Sequence, residues 1–268
     1  MKLKVGIIGC GAIGSELGKA IGSRIPGADL VAVADVDEEK ARKLSKNVFP
    51  VPRVLSPEEL IDEVALVIEC ASSSAVAAIA EKTLSQGKDI MVMSVGGLLG
   101  KMHLFRLAQE KGARIYLPSG ALAGLDGVKA AAAGRIDSVI LTTRKPPAGL
   151  KGAPHLEKAG IDLDALTEEE TVFEGTAEEA VEGFPRNINV AATLSLAGIG
   201  PAKTRVKIVA DPKTSHNVHE IKIEGEFGRL ISRTENLPSP SNPKTSFLAI
   251  LSAIATLEAI VSPVRIGT

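Results

Sequence analysis

The first half of the chain alternates short, β-branched apolar runs with stretches of helical period. Residues 3–8 (LKVGII) show almost no polar alternation, as expected of a strand covered on both faces. Similar runs at 30–34, 65–70, 89–93 and 113–117 predict four more strands. Helical patterns fall between them at 16–21, 74–85 and 103–111. Another helix starts at Ser56-Pro57-Glu58-Glu59, where Ser can cap, Pro suits the first helical position and Glu59 completes a capping box. This rhythm predicts βαβ units and a parallel sheet with helices on both sides.

After Pro118-Ser119-Gly120-Ala121, a turn-rich junction, the pattern changes. Residues 137–144, 204–209, 218–224 and 227–234 alternate apolar and polar positions, predicting a mostly antiparallel sheet with one covered face. Helices fit at 126–133 and 188–196. The Pro- and Gly-rich stretch 145–170 reads as a long loop, functional or disordered. Residues 238–243 read as an extended linker into a last helix at 247–261, apolar nearly all round and therefore buried.

Composition narrows the function. With 31 Lys+Arg against 32 Asp+Glu in 268 residues, the chain lacks the basic excess of a nucleic-acid binder. Aromatics at 3%, with no Trp, disfavour stacking platforms for single strands. Cys10 and Cys70 are too few for a disulfide scaffold, which suits a reducing, cytoplasmic setting. The apolar run before Cys10 is shorter than the roughly 7–15 residues of a signal segment, and the last helix falls short of the roughly 20 that span a bilayer. Neither membrane nor nucleic acid is an expected partner. No His/Cys/Asp/Glu spacing predicts a metal site.

The strongest local motif is Gly9-Cys10-Gly11-Ala12-Ile13-Gly14, directly after the first strand and opening a helix. Glycines there allow a tight turn and close approach of a pyrophosphate to amides at a helix N-terminus. Asp35 lies about 20 positions on, where an acidic side chain accepts from ribose hydroxyls. Gly9, Gly11, Ala12, Ile13, Gly14 and Asp35 are therefore expected to hold a dinucleotide. Ala71 and Ser72, after the 65–70 strand, flank the crevice where it would lie. Ser94-Val95-Gly96-Gly97 is small enough to admit a nicotinamide ring, or is plain turn chemistry. Flavin and nicotinamide cofactors share the fingerprint, which leaves that choice open. Of four histidines, His216 and His219 stand together where a strand begins, and one of them can face inward. Asn187 reads as a helix cap with Asn189 in the first turn. Asn242-Pro243-Lys244-Thr245-Ser246 reads as the N-terminus of the last helix, with Lys244, Thr245 and Ser246 suited to a carboxylate.

The glycine loop, Ser119–Asp126, Thr142-Thr143-Arg144-Lys145, Phe184–Ala192, Asn217-Val218-His219-Glu220 and Asn242–Ser246, taken in order, resemble the L-aspartate dehydrogenase family. The resemblance implies an α/β fold: an N-terminal Rossmann domain, 1–118 with a returning helix at 243–268, and a smaller α+β domain at 119–242. It implies oxidative deamination of L-aspartate with NAD or NADP by a catalytic histidine matching His219. Cofactor contacts match Ala121 and Asn189. It further implies iminoaspartate as product, hydrolysing to oxaloacetate and ammonia or feeding the quinolinate route to NAD. A homodimer is the expected assembly. Two rivals remain: another two-domain reductase, of the dihydrodipicolinate-reductase or sugar-dehydrogenase kind, and a non-catalytic dinucleotide sensor. The sugar enzymes of the glucose–fructose oxidoreductase type carry a Glu-Lys-Pro turn where this chain has Ser94-Val95-Gly96.

Overall fold

Short apolar runs bounded by Gly, Pro and Asp become strands, and the amphipathic stretches between them become helices. The computed structural model describes every residue except Arg186, Asn187 and Ser241, and excludes the side chains of Pro243 and Lys244. Elements run in the order β1 (Leu3–Ile8), α1 (Ala12–Arg24), β2 (Ala28–Ala34), α2 (Glu38–Lys46), β3 (Arg53–Val54), α3 (Pro57–Glu63), β4 (Leu66–Glu69), α4 (Val76–Ser85), β5 (Asp89–Val92), α5 (Met102–Lys111) and β6 (Ile115–Tyr116). There follow α6 (Leu125–Ala131), β7 (Ile136–Lys145), α7 (Pro154–Ala159), β8 (Glu170–Thr176), α8 (Ala177–Gly183), α9 (Asn189–Ala197), β9 (Arg205–Ala210), β10 (Asn217–Gly225), β11 (Gly228–Asn236), β12 (Pro238–Ser239), β13 (Asn242–Ser246) and α10 (Phe247–Val261). Contacts divide the chain into two units, Met1–Pro118 with Ile250–Arg265, and Ser119–Ala249 with Ile266–Thr268.

The first unit is a parallel sheet in the order β3-β2-β1-β4-β5-β6. Because strand side chains alternate, Val5, Ile7, Ile68 and Met91 face one core with residues of α1, α2 and α10. Ile8, Val67, Ile90 and Val92 face the other, with α3, α4 and α5. The capping box at Ser56 forms as its sequence predicts: Ser56 accepts from the Glu59 amide and Glu59 from the Ser56 amide. Losing such a cap costs about 0.5–2 kcal/mol. The strand order reverses at β1/β4, so the loops after those strands splay apart and leave a crevice.

The second unit is a mixed sheet in the order β11-β10-β7-β9-β8, with β7 and β9 parallel and the other neighbours antiparallel. One face carries Val139, Leu141, Ile221, Ile223, Val206 and Ile208, packed against helical residues such as Leu156, Ala180, Ala191 and Leu194.

Two expectations need correction. Residues 145–170 are not a structureless loop. They hold α7 and two 3-10 turns, anchored because Leu150, Ala153, Leu156 and Leu163 are buried in the core. His155, within this stretch, packs its ring on Phe173 and Phe184 at centroid distances of 5.2 and 5.5 Å. Residues 238–246 are neither a linker nor a helix start: β12 and β13 pair antiparallel, Pro238 opposite Ser246 and Ser239 opposite Asn242. Pro243 disfavours helical geometry at Asn242, and the arm that precedes it offers a partner strand. The helix begins only at Phe247, so Lys244, Thr245 and Ser246 do not form a helix N-terminus.

Candidate functional site

The glycine loop builds a cradle in the first unit. Gly9 turns with φ +102°, and a Cβ on it would lie 2.4 Å from the Cys70 carbonyl carbon. A Cβ on Gly14 would lie 2.0 Å from the Gly9 oxygen, so the helix can approach the loop this closely only without a side chain. A Cβ on Gly11 meets nothing within 4 Å, which leaves the loop open on its outer side. Gly11 occupies the N-cap of α1 with no side-chain cap, and Ala12 and Ile13 are only partly buried. The first-turn amides are thus free of a side-chain acceptor, the condition an anion site needs.

Asp35, at the end of β2, accepts from the Cys10 amide at 2.6 Å and the Asp37 amide at 2.8 Å. These bonds fix its carboxylate beside the loop, with lone pairs to spare for hydroxyl donors. A cleft of about 570 Å³ is lined by Gly9, Gly11, Asp35, Lys40, Ala71 and Ser72. These residues fit a dinucleotide: open space over the loop, unsatisfied amides, and a fixed carboxylate.

A residue that the sequence did not single out supports the cleft. Glu69 ends the otherwise apolar β4 and is fully buried. It accepts from the Ala71 amide at 2.8 Å, the Ser94 hydroxyl at 2.8 Å and the Ser94 amide at 3.0 Å. Burial raises its pKa, and those donors oppose the rise. The carboxylate thereby ties together the loops after β4 and β5. Ser94-Val95-Gly96-Gly97 accordingly reads as turn chemistry: it starts a 3-10 turn, and a Cβ on Gly97 would lie 2.2 Å from the Ser73 oxygen. Burial also raises both thiols, Cys10 to about 12 and Cys70 well above its usual range, so neither is a thiolate.

In the second unit the covered sheet face changes character at one end. Along β7, Val139 and Leu141 give way to Thr143 and Lys145; along β10, Ile223 and Ile221 give way to His219 and Asn217. His219 pairs with Thr143 on one side and Thr234 on the other. Its ring is 3% exposed, and Nδ1 lies 3.0 Å from the Thr143 hydroxyl. Burial, with a smaller push from Lys145, lowers its pKa to about 3. The imidazole is therefore neutral at physiological pH and competent to take a proton. Burial also lowers Lys145 to about 8.

The other second-unit candidates are placed as follows. The Ala121 carbonyl accepts from Thr234 Oγ1 at 2.9 Å and Asn236 Nδ2 at 3.2 Å. The amide of Asn236 also donates to the Asn217 carbonyl and to Thr234 Oγ1. Its buried Oδ1 has no hydrogen-bond partner among the described residues. His216 sits in the turn before β10 with Nδ1 3.2 Å from the Ser215 hydroxyl, while its neighbour His219 is buried in the strand. Asn189 is exposed at the start of α9, and its carbonyl accepts from Thr193. Ser246 is buried and takes a 3.4 Å hydrogen bond from Asn217, while Thr245 is half-buried. Asn187 and the Lys244 side chain lie outside the described residues. Among the described residues no cluster of three His, Cys, Asp or Glu is arranged to hold a metal ion, and no helix is long and apolar enough to cross a membrane.

Comparison with known proteins agrees across the whole chain. Residues 126–260 match the family described as aspartate dehydrogenase, C-terminal, and residues 9–118 match the homoserine dehydrogenase NAD binding domain. An L-aspartate dehydrogenase of Methanosarcina barkeri is 53% identical, covering 99% of this chain and 100% of that protein. One from Bradyrhizobium diazoefficiens is 45% identical, covering 100% and 95%. The crystal structure of aspartate dehydrogenase from Thermotoga maritima superimposes with a TM-score of 0.75 at 30% identity, covering 100% of both chains.

Proposed function

The chain belongs to the L-aspartate dehydrogenase family, an NAD(P)-dependent oxidoreductase family, and from that premise we propose that it oxidises L-aspartate to iminoaspartate. The observation that carries the reading is the neutral, buried His219 bonded to Thr143, in a chain whose other unit holds a dinucleotide cradle. Gly9, Gly11, Ala12, Ile13, Gly14, Asp35, Ala71 and Ser72 would hold NAD(P), which would supply the hydride acceptor. Ala121 and Asn189 are further cofactor contacts in this reading.

Loss of a hydride from Cα of aspartate, its amine uncharged, leaves iminoaspartate as the iminium. With Nδ1–H donated to Thr143, His219 presents its Nε2 lone pair as the base. It takes a proton from the water that adds to the iminium carbon, giving a neutral carbinolamine. The imidazolium returns that proton to the nitrogen, which leaves as ammonia while the hydroxyl carbon becomes the carbonyl of oxaloacetate; the ammonia takes the hydroxyl proton and departs as ammonium. Unhydrolysed iminoaspartate would instead serve the quinolinate route to NAD. In this reading Met1–Pro118 with Ile250–Arg265 form the cofactor domain and Ser119–Ala249 the substrate domain, the returning helix joining the first unit later than the 243 expected from sequence, and the enzyme works as a cytoplasmic homodimer.

A panel of amino acids and hydroxy acids tested for NADH formation, with product identification, examines the proposal. L-Aspartate should stand out and yield equal amounts of oxaloacetate and ammonia. A hydroxy acid or sugar outperforming it would favour the rival reductases; no turnover with intact NAD binding would favour a sensor. His219→Ala should lower turnover about 10²–10⁴-fold with NAD binding near normal, and His216→Ala should do less.

A further inference from the structure

Resting on the reading of the first unit as an NAD(P) site, we propose that Glu69 positions the half of that site which receives the nicotinamide mononucleotide. A doubly wound sheet in this strand order consists of two mononucleotide-binding halves that meet where the order reverses. Here β3-β2-β1 is one half, carrying the glycine loop and Asp35, and β4-β5-β6 is the other.

Each half contains a carboxylate bonded in the same manner. Asp35 ends β2 and accepts from the amide two residues on, Asp37, and from the Cys10 amide in the loop after neighbouring β1. Glu69 ends β4 and accepts from the amide two residues on, Ala71, and from the amide and hydroxyl of Ser94 in the loop after neighbouring β5. Both carboxylates thus pin the loops of two adjacent strands. They differ in exposure: Asp35 is partly exposed and can meet a ligand, whereas Glu69 is 0% exposed and acts through the loops it joins. Burying a carboxylate is costly, and three donors at 2.8–3.0 Å offset that cost.

Packing decides which loop depends on the bond most. Gly9 holds the Cys70–Ala71 peptide from its other side, so closely that a Cβ there would lie 2.6 Å from the Ala71 nitrogen. The loop after β5 approaches the loop after β4 just as closely, with no room for a side chain on Gly97 beside the Ser73 oxygen. That approach starts at Ser94, whose amide and hydroxyl both end on Glu69. Loss of the carboxylate should therefore release the Ser94 loop first and leave the glycine loop and Asp35 in place.

The test uses the full-length protein, with NADH and ADP as probes in titration calorimetry. ADP carries the adenosine and both phosphates and lacks the nicotinamide mononucleotide. Glu69→Gln keeps the shape, removes the charge and sets an amide N–H against the donors of Ser94. Affinity falls with the fraction of protein that holds the competent arrangement. The Kd for NADH should then rise about 10- to 150-fold, the range of a lost charge-assisted hydrogen bond, while that for ADP stays within twofold. Asp35→Asn should weaken both. A merely structural role would lower the binding-competent amount of protein without separating the two ligands. An unchanged Kd for NADH in Glu69→Gln, or equal losses for NADH and ADP, overturns the proposal. Should that variant not fold, Ser94→Ala decides, because it removes the hydroxyl bond and keeps the amide bond. Its Kd for NADH should rise about 3- to 10-fold with ADP unchanged, and an unchanged value for NADH overturns the proposal. A wild type that binds neither NADH nor ADP would count against the cofactor reading itself, whereas a wild type that binds both, with Glu69→Gln equal to it, counts against this inference alone.

Discussion

His219→Gln should change how the protein responds to acid more than how it behaves at neutral pH. His219 is buried and neutral, with a pKa near 3 in the fold against an ordinary value of 6.5. Between those values the unfolded chain binds a proton at this position and the folded chain does not. Stability must then fall as pH falls, by about 1.4 kcal/mol per pH unit. From pH 6.5 to pH 4 the loss is about 3 kcal/mol, a large share of the roughly 5–15 kcal/mol that holds a domain folded. Gln cannot titrate and keeps an amide to bond Thr143, so the variant should lack this loss. Carboxylates titrating in the same range are common to both proteins and cancel in the difference. Urea unfolding at pH 7, 5.5 and 4 measures it: the wild type should lose about 3 kcal/mol relative to His219→Gln across that span. A difference constant to within about 0.5 kcal/mol would show that the ring is protonated or solvated in the fold. The neutral base required for imine hydration would go with it.

Gly14→Ala would press a Cβ to 2.0 Å from the Gly9 oxygen, a backbone atom that cannot turn aside. Displacing the loop by about an ångström should weaken NAD binding about 10²-fold in a fluorescence titration; unchanged affinity would count against the cradle. Asp35 places a negative charge beside the ribose position, and Lys40 pairs with Asp37 at 3.2 Å. NADP should bind about tenfold more weakly than NAD, the effect of roughly 1.4 kcal/mol of charge repulsion; equal affinities would show a cation reaching the phosphate. Glu69→Gln presents an amide N–H to the donors of Ser94, which should cost about 1–3 kcal/mol by urea unfolding. A neutral effect would show that the buried group is already protonated.

The sequence was legible where a local rule decided the structure. The glycine loop, the Ser56 capping box and the apolar runs of β1, β4 and β5 stand where spacing put them. So does the covered face of the second sheet, because alternation is a property of each strand alone. Partners distant in sequence were not legible. Glu69 is a lone acidic residue ending an apolar strand until Ser94 arrives from the next one. Thr143 and Lys145 acquire meaning only once the register sets β7 against β10. The 242–246 segment was misread because a Ser/Thr/Asn cluster before an apolar helix looks like a cap, and the preceding Pro-Ser-Pro arm instead pairs with it as a strand. The 145–170 stretch was misread because its prolines and glycines hid four buried apolar anchors.

The most direct test of aspartate oxidation follows the hydrogen itself. L-Aspartate deuterated at Cα, incubated with the enzyme and NAD, should yield reduced cofactor carrying one deuterium at the nicotinamide ring, with oxaloacetate formed in equal amount. Reduced cofactor without label, or none above the rate without aspartate, would contradict the account.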